Sequence, residues 1–169
     1  MKKVTIPVIA LLMLFAATPV MAPATKIPVT GEFFGYATDT GTQWISEEGI
    51  IQTRGGAGEG EIVSEYIPGI MSFTFNAAFD PTTGTGRAWG TFVSTDPEGN
   101  PILKGNWLVS VSNWGYYIEG PSTGHGIGAY EGMHWSCRFW GYNSYFSMPP
   151  YPDPPIYFYL DGTILSPHG

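Results

Sequence analysis

Met71–Phe79 reads M-S-F-T-F-N-A-A-F and alternates without a slip. Met71, Phe73, Phe75, Ala77 and Phe79 fall on one side, and Ser72, Thr74, Asn76 and Ala78 on the other. A period of two marks a strand with one buried face, because successive side chains leave an extended backbone in opposite directions. The next residues, D-P-T-T-G-T-G at Asp80–Gly86, form a turn: Pro81 presets φ and the glycines accept positive φ. Arg87–Ser94 then returns antiparallel. A second turn, D-P-E-G-N-P at Asp96–Pro101, leads into Leu103–Trp114, where Trp107, Val109 and Val111 alternate with Asn106, Ser110 and Ser112.

The same grammar extends to both ends. Gly31–Ala37 opens the series, and a second strand lies within Gln43–Arg54, bent at Glu48-Gly49. The run R-G-G-A-G-E-G-E at Arg54–Glu61 reads as a turn or a bulged strand start leading into Glu61–Tyr66. A glycine-rich loop cradles phosphate only where a helix N-terminus follows; none is visible here, and Glu59 and Glu61 would repel an anion. Tyr116–Glu119 is a short strand followed by a G-P-S-T-G break. Two aromatic runs close the chain: Gly124–Tyr142 (G-H-G-I-G-A-Y-E-G-M-H-W-S-C-R-F-W-G-Y) and Pro155–Leu165 (P-I-Y-F-Y-L-D-G-T-I-L). The segment between them is too rich in proline for a central strand.

After residue 24 no segment longer than one turn carries a helical period. Eight to ten short strands, with turn signals at roughly ten-residue spacing, predict a barrel or sandwich. No Cys…Trp…Cys spacing favours an immunoglobulin sandwich. Glycines inside strands mark the bends where a sheet turns a corner. The expected fold is all-β: a single antiparallel barrel of about eight strands over residues 25–169.

Residues 1–24 read as a cleaved secretory signal peptide. Lys2 and Lys3 precede an apolar run from Val4 to Val20, and A-P-A at 22–24 fits the small-x-small cleavage rule. Pro7 and Pro19 argue against an uncleaved spanning helix, and the run is at the short end for one. The expected location is secreted or extracytoplasmic, periplasmic or at the cell surface, with no stable membrane insertion of the mature chain. The formal charge is −7, and losing Lys2 and Lys3 makes the remainder more acidic. Phosphate contacts need clustered Lys and Arg, so nucleic acid is an unsuitable partner, and an anionic membrane surface is disfavoured for the same reason. Gly and Pro are abundant at 23 and 15 residues. The 15% of aromatic residues nevertheless argues for a packed fold rather than a disordered chain.

Cys137 is the only cysteine, so no intramolecular disulfide forms, and a buried free thiol is the default reading. No organic cofactor and no metal are expected. His125 falls in a glycine loop, and strand alternation turns His134 away from Glu131 and Cys137, whereas a metal site needs three or four converging ligands. No G-x-S-x-G elbow supports a hydrolase.

Continuous alternation from 128 to 140 would put Ala129, Glu131, Met133, Trp135, Cys137 and Phe139 on one face. Glu131 would then be a carboxylate in an apolar lumen, with a raised pKa, able to act as a general acid or to anchor a ligand hydroxyl. It is the catalytic candidate; a rim position, or pairing with Arg87 or Arg138, is the plainer alternative. The candidate ligand-binding set is Phe73, Phe75, Trp107, Glu131, Trp135, Phe139 and Phe158. The wider aromatic set, with Trp44, Trp89, Trp114, Trp140, Tyr157 and Tyr159, would serve as core, as an apolar pocket or as a sugar platform.

Gly124–Gly132 (G-H-G-I-G-A-Y-E-G) and Ile156–Gly162 (I-Y-F-Y-L-D-G) resemble the C-terminal part of the allene oxide cyclase family. That family carries a glycine-rich strand of the form G-G-S-G-x-F-E-G-A-Y-G and then an aromatic strand like F-Y-T-F-Y-L-K-G. The shared positions are Gly124, Gly126, Tyr130, Glu131, Gly132, Tyr157, Phe158, Tyr159, Leu160 and Gly162, within a span, residues 124–165, that is about a quarter of the chain. The resemblance implies an eight-stranded barrel with an apolar cavity, related to dirigent proteins, and a fatty-acid epoxide cyclase that steers its substrate mainly by shape. It also implies that sheet-edge pairing into a homo-oligomer is open. The secretory start departs from a plastid transit sequence. The functions expected are therefore binding of a small apolar molecule in the lumen, an isomerase or cyclase of this type, or a structural or glycan-interacting barrel with a filled core.

Overall fold

The computed structural model describes residues 24–143 and 156–167. All but the last residue of the expected signal peptide, and the proline-rich segment after Asn143, lie outside them. The described chain is all-β apart from one short 3-10 turn. Its strands are β1 (Thr25–Asp39), β2 (Thr42–Ile45), β3 (Ile51–Ser64), β4 (Gly69–Asp80), β5 (Thr85–Thr95), β6 (Pro101–Ser112), β7 (Tyr117–Gly126), β8 (His134–Asn143) and β9 (Ile156–Ser166).

All neighbours are antiparallel, in the order β1-β9-β8-β7-β6-β5-β4-β3-β2, and β1 also pairs with β3. That last pairing closes eight strands into a barrel and leaves β2 outside it. Phe33 sits opposite Ile62 on β3 and opposite Phe158 on β9, so one residue of β1 marks the seam on both sides. Closure pairs both edges of the eight barrel strands, which would otherwise be free to recruit other chains, and leaves a free edge on the short β2.

Alternation decides what lies inside. Met71, Phe73, Phe75, Ala77 and Phe79 line the inner face of β4, as the sequence predicts. Ala88, Phe92 and Ser94 do so on β5, and Leu103, Trp107, Val109 and Val111 on β6. A bulge lies between β5 and β6, where Ser94 pairs with Leu103 but Thr95 pairs with Pro101. The extra residue, Ile102, is therefore buried next to Leu103 rather than alternating with it.

Three elements differ from the sequence reading. The region Gln43–Arg54 is not one bent strand: Ser46 N–H donates to Ile50 O at 2.9 Å and closes a hairpin between β2 and β3. Of the two readings of the glycine-rich run at Arg54–Glu61, the turn is not found and the bulged strand is: the run is the middle of β3, with a bulge between Thr53 and Gly56 where Gly55 has φ +72°. The G-P-S-T-G break lies inside β7. Pairing between β6 and β7 skips Leu108 and Val109, the residues across from Gly120 and Pro121. Proline has no N–H to give there, and the strand tolerates it because that stretch of ladder is unpaired.

Candidate functional site

The lumen owes its space to glycine. On β3 the inward residues are Gly56, Gly58, Gly60 and Ile62, while Glu59 and Glu61 point outward. A Cβ at Gly56 would collide with the Phe75 ring, and one at Gly58 with the Phe73 ring. Each phenyl ring therefore rests on bare backbone of the neighbouring strand. Phe33, fully buried, lies in the same way over Gly35 and Gly60. The rings also meet one another: Phe33 stacks on Phe158 at 5.8 Å, Phe139 meets Phe158 at 5.2 Å, and Trp107 meets Phe73 and Phe139 edge-on at 6.5 and 6.4 Å.

This network lines a partly open cavity of about 90 Å³. A single water needs roughly 10–15 Å³ by such a measure, and an engineered cavity of about 150 Å³ takes benzene. Phe73, Phe75, Trp107, Trp135, Phe139 and Phe158 all line it. Phe33, Met71, Phe92, Leu103, Val109 and Leu160 line it as well and were not picked out from sequence as site residues. Parity along β5 and β6 could have found Phe92, Leu103 and Val109.

The polar content of the wall is small. Among the described residues, Ser94 and Ser122 are its only polar side chains besides the two indoles. Trp135 Nε1 donates to Ser122 Oγ at 3.1 Å. Ser94 Oγ and Trp107 Nε1 are buried with no hydrogen-bond partner among the described residues. Ser94 shares the inward parity of Ala88 and Phe92, so alternation could have found it. Ser122 was hidden because Pro121 made its surroundings read as a turn.

Glu131 is not in the lumen. Gly128 at φ +61° and Gly132 at φ +89° bracket a 3-10 turn, in which Tyr130 N–H donates to Ile127 O and Glu131 N–H to Gly128 O. Alternation cannot run through such a turn, so Gly124–Tyr142 is the end of β7, the turn and then β8, not one strand. Glu131 is exposed at the tip. No ionisable side chain lines the cavity among the described residues.

Cys137 is a buried free thiol on the inner face of β8, with Sγ directed to Arg138 O at 3.0 Å. Burial pushes its pKa up to about 12, so it stays protonated and unreactive at neutral pH. His125 is not in a loop. It lies on β7 directly opposite His134 on β8, and both are exposed on the outer face. Among the described residues no three His, Cys, Asp or Glu side chains converge.

The outer face of β1, β9 and β8 carries a second aromatic assembly. Phe34 contacts Tyr157 at 4.7 Å, Tyr157 contacts Tyr159 at 4.9 Å, and Tyr159 stacks on Trp140 at 6.1 Å. Phe34, Tyr142 and Tyr159 are exposed. The hydrogen bond to Tyr159, desolvation and the nearby Glu32 carboxylate raise the Tyr157 pKa. Tyr36 donates to Glu59 across the seam, which raises its pKa in turn. The neighbouring β6–β7 turn holds Asn113 and Trp114 at φ 51° and 58°, an unusual backbone state for an indole residue. It presents Trp114 and Tyr116 to solvent, with Tyr116 4.9 Å from Tyr142.

No family model, curated protein or solved structure matches the chain.

Proposed function

We propose that this protein is an extracytoplasmic barrel that binds a small apolar molecule in its lumen. The observation that carries this reading is the unfilled apolar cavity of about 90 Å³ between Phe33, Phe73, Trp107, Phe139 and Phe158. Interiors are ordinarily packed to the density of organic crystals, so a void of this size between aromatic rings is space that a side-chain-filled barrel would not leave. The volume argues for an occupant of about benzene size or less, because ordinary small-molecule pockets are roughly 300–1,000 Å³. A long fatty-acid epoxide, the substrate that the allene oxide cyclase resemblance implies, is too large for it, and none of the described residues on the wall is an acid or base able to move a proton. Binding is therefore favoured over cyclisation. Titration of the full-length folded protein with benzene or cyclopentane, followed by NMR at the Met71 methyl, should show saturable shifts. Shifts that stay linear to the solubility limit would overturn the reading. Sequencing the N-terminus of the exported protein tests the location, with cleavage near Ala24 as the expected result.

The outer aromatic assembly favours a second reading. Phe34, Tyr157, Tyr159 and Trp140 form a run of ring contacts on the outer face, with Phe34 and Tyr159 exposed and Tyr157 and Trp140 half-buried, flanked by the Glu32 carboxylate; sugar rings stack on aromatic faces of this kind. A soluble oligosaccharide that quenches Trp140 fluorescence, and loses affinity in Tyr159→Ala, would support it. Lack of retention on a panel of immobilised glycans would reject it.

A further inference from the structure

His125 and His134 lie nine residues apart in sequence, yet the β7–β8 hairpin brings them together on the outer face. They stand directly opposite each other in register, and both are exposed. The hydrogen bonds around them fix which kind of cross-strand pair they form. Gly126 N–H donates to Met133 O at 2.9 Å, one step further along the same register. Ile127 N–H turns the other way and donates to Ile102 O on β6 at 3.0 Å. Hydrogen-bonded and non-hydrogen-bonded pairs alternate along an antiparallel ladder. His125 and His134 are therefore a non-hydrogen-bonded pair, the kind whose Cα atoms stand about 4.5 Å apart and whose side chains come closest.

That spacing suits a chelate. Two metal–nitrogen bonds of about 2.0–2.1 Å at a right angle put the nitrogens about 3 Å apart, which two imidazoles on neighbouring strands span without moving the backbone. The rest of the row narrows the metal. Lys104 on β6 stands opposite His125, and Leu165 on β9 stands opposite His134, so no carboxylate adjoins the pair across the sheet. Hard cations such as Ca²⁺ and Mg²⁺ need oxygen ligands and find none in this row. A zinc site takes three or four protein ligands, and two converge here. Imidazole also suits Cu²⁺, which binds a given nitrogen site more tightly than its neighbours in the series and accepts a tetragonal set of nitrogen and oxygen ligands. Water from the exposed face completes that set.

We propose that His125 and His134 form an outer-face site that chelates Cu²⁺ through two imidazole nitrogens. The site shares no residue with the lumen and stands independently of what the lumen binds.

The test titrates the full-length folded protein with Cu²⁺ at neutral pH, against glycine as a weak competing chelator. Binding should saturate, with nitrogen hyperfine structure from two imidazoles in the EPR spectrum. The ring protons of His125 and His134 should be the first to broaden by NMR. Both residues are exposed, so His125→Ala and His134→Ala leave the core untouched. Each should weaken Cu²⁺ binding at least about tenfold, since even an outer-shell partner of a metal ligand is worth about 10–100-fold. The double variant should lose little more than either single one, because a lone imidazole no longer chelates. His168 stays in every variant, so binding there cancels in the comparison. Single variants that bind as tightly as wild type, or no saturation above glycine, would overturn the site. So would losses that simply add, which mark two separate one-histidine sites.

Discussion

Strands β3 and β4 lie side by side and line the same lumen by opposite means. The inner face of β4 carries Met71, Phe73, Phe75, Ala77 and Phe79. The inner face of β3, over the paired stretch, carries glycines at 56, 58 and 60. In register Gly58 faces Phe73 and Gly56 faces Phe75, so each ring lies down on its partner's backbone. A barrel lined by large side chains on every strand would be full, and one lined by glycine would collapse. Pairing the two lets rings tile the wall and leaves a void beside Trp107. Lumen volume is thus a property of neighbouring strands taken together rather than of any one strand.

The largest way to break this arrangement is Phe33→Ala. Phe33 is fully buried, rests on Gly35 and Gly60, and stacks on Phe158 at the seam. Urea unfolding should show a loss of about 3–5 kcal/mol, the usual range for deleting a buried phenyl ring. A loss below about 1 kcal/mol would mean that the seam does not depend on this ring.

The next test addresses the ring-on-glycine pairing itself. Gly58→Ala should cost about 1–3 kcal/mol, because the new methyl meets the Phe73 ring. Phe73→Ala removes that ring, so the double variant should be more stable than the sum of the two single losses predicts. Relief will be partial, since Tyr36 O also crowds the added Cβ and backbone retreats less easily than a ring. Additivity within about 0.5 kcal/mol would show that the ring does not limit this position.

Cys137 on β8 supplies a pH test. Its thiol is raised from an ordinary 9.0 to about 12 by burial. Between those values the folded chain keeps a proton that the unfolded chain has lost. This contribution to stability is therefore complete below pH 9 and is lost as pH climbs toward 12. The slope should approach about 1.4 kcal/mol per pH unit at most. Cys137→Ala should flatten the alkaline limb relative to wild type, while the tyrosines affect both chains alike. An identical slope in the two proteins would remove the thiol from the explanation.

The smallest effect belongs to the outer face. Arg138 on β8 reaches Glu119 on β7 at 2.8 Å with both side chains well exposed. Glu119→Gln should change the unfolding free energy by no more than about 1 kcal/mol, and less in high salt. A larger, salt-insensitive loss would mark this pair as structural.

Several inner faces were legible before any coordinates. Alternation alone put Phe73 and Phe75 inside β4, and Trp107 and Val109 on one face of β6, because a strand has only two sides. Alternation failed where the backbone left the extended state. Glu131 was assigned to the lumen by extending the alternation of β8, which does place Trp135, Cys137 and Phe139 inside, back through residues that form a 3-10 turn, where parity does not hold. Gly56, Gly58 and Gly60 read as a turn because glycine says nothing about which way a strand faces. Their role appears only when the rings of a neighbouring strand lie across them. Ser122 was concealed by Pro121, whose missing N–H costs little where the ladder is already unpaired.

That this chain is all-β, where most of its turns fall and which side of β4 and β6 is apolar can all be read from the order of its residues. Those properties are local: they follow from side-chain period and from the φ preferences of proline and glycine. Only the tertiary structure decided that β1 meets β3 to close the sheet, that β2 stays outside, that phenyl rings lie on glycines, and that Trp107 keeps an unpaired N–H while Trp135 does not. Each of these depends on the register between strands distant in sequence, and on the angle at which one side chain meets another across a shared interior.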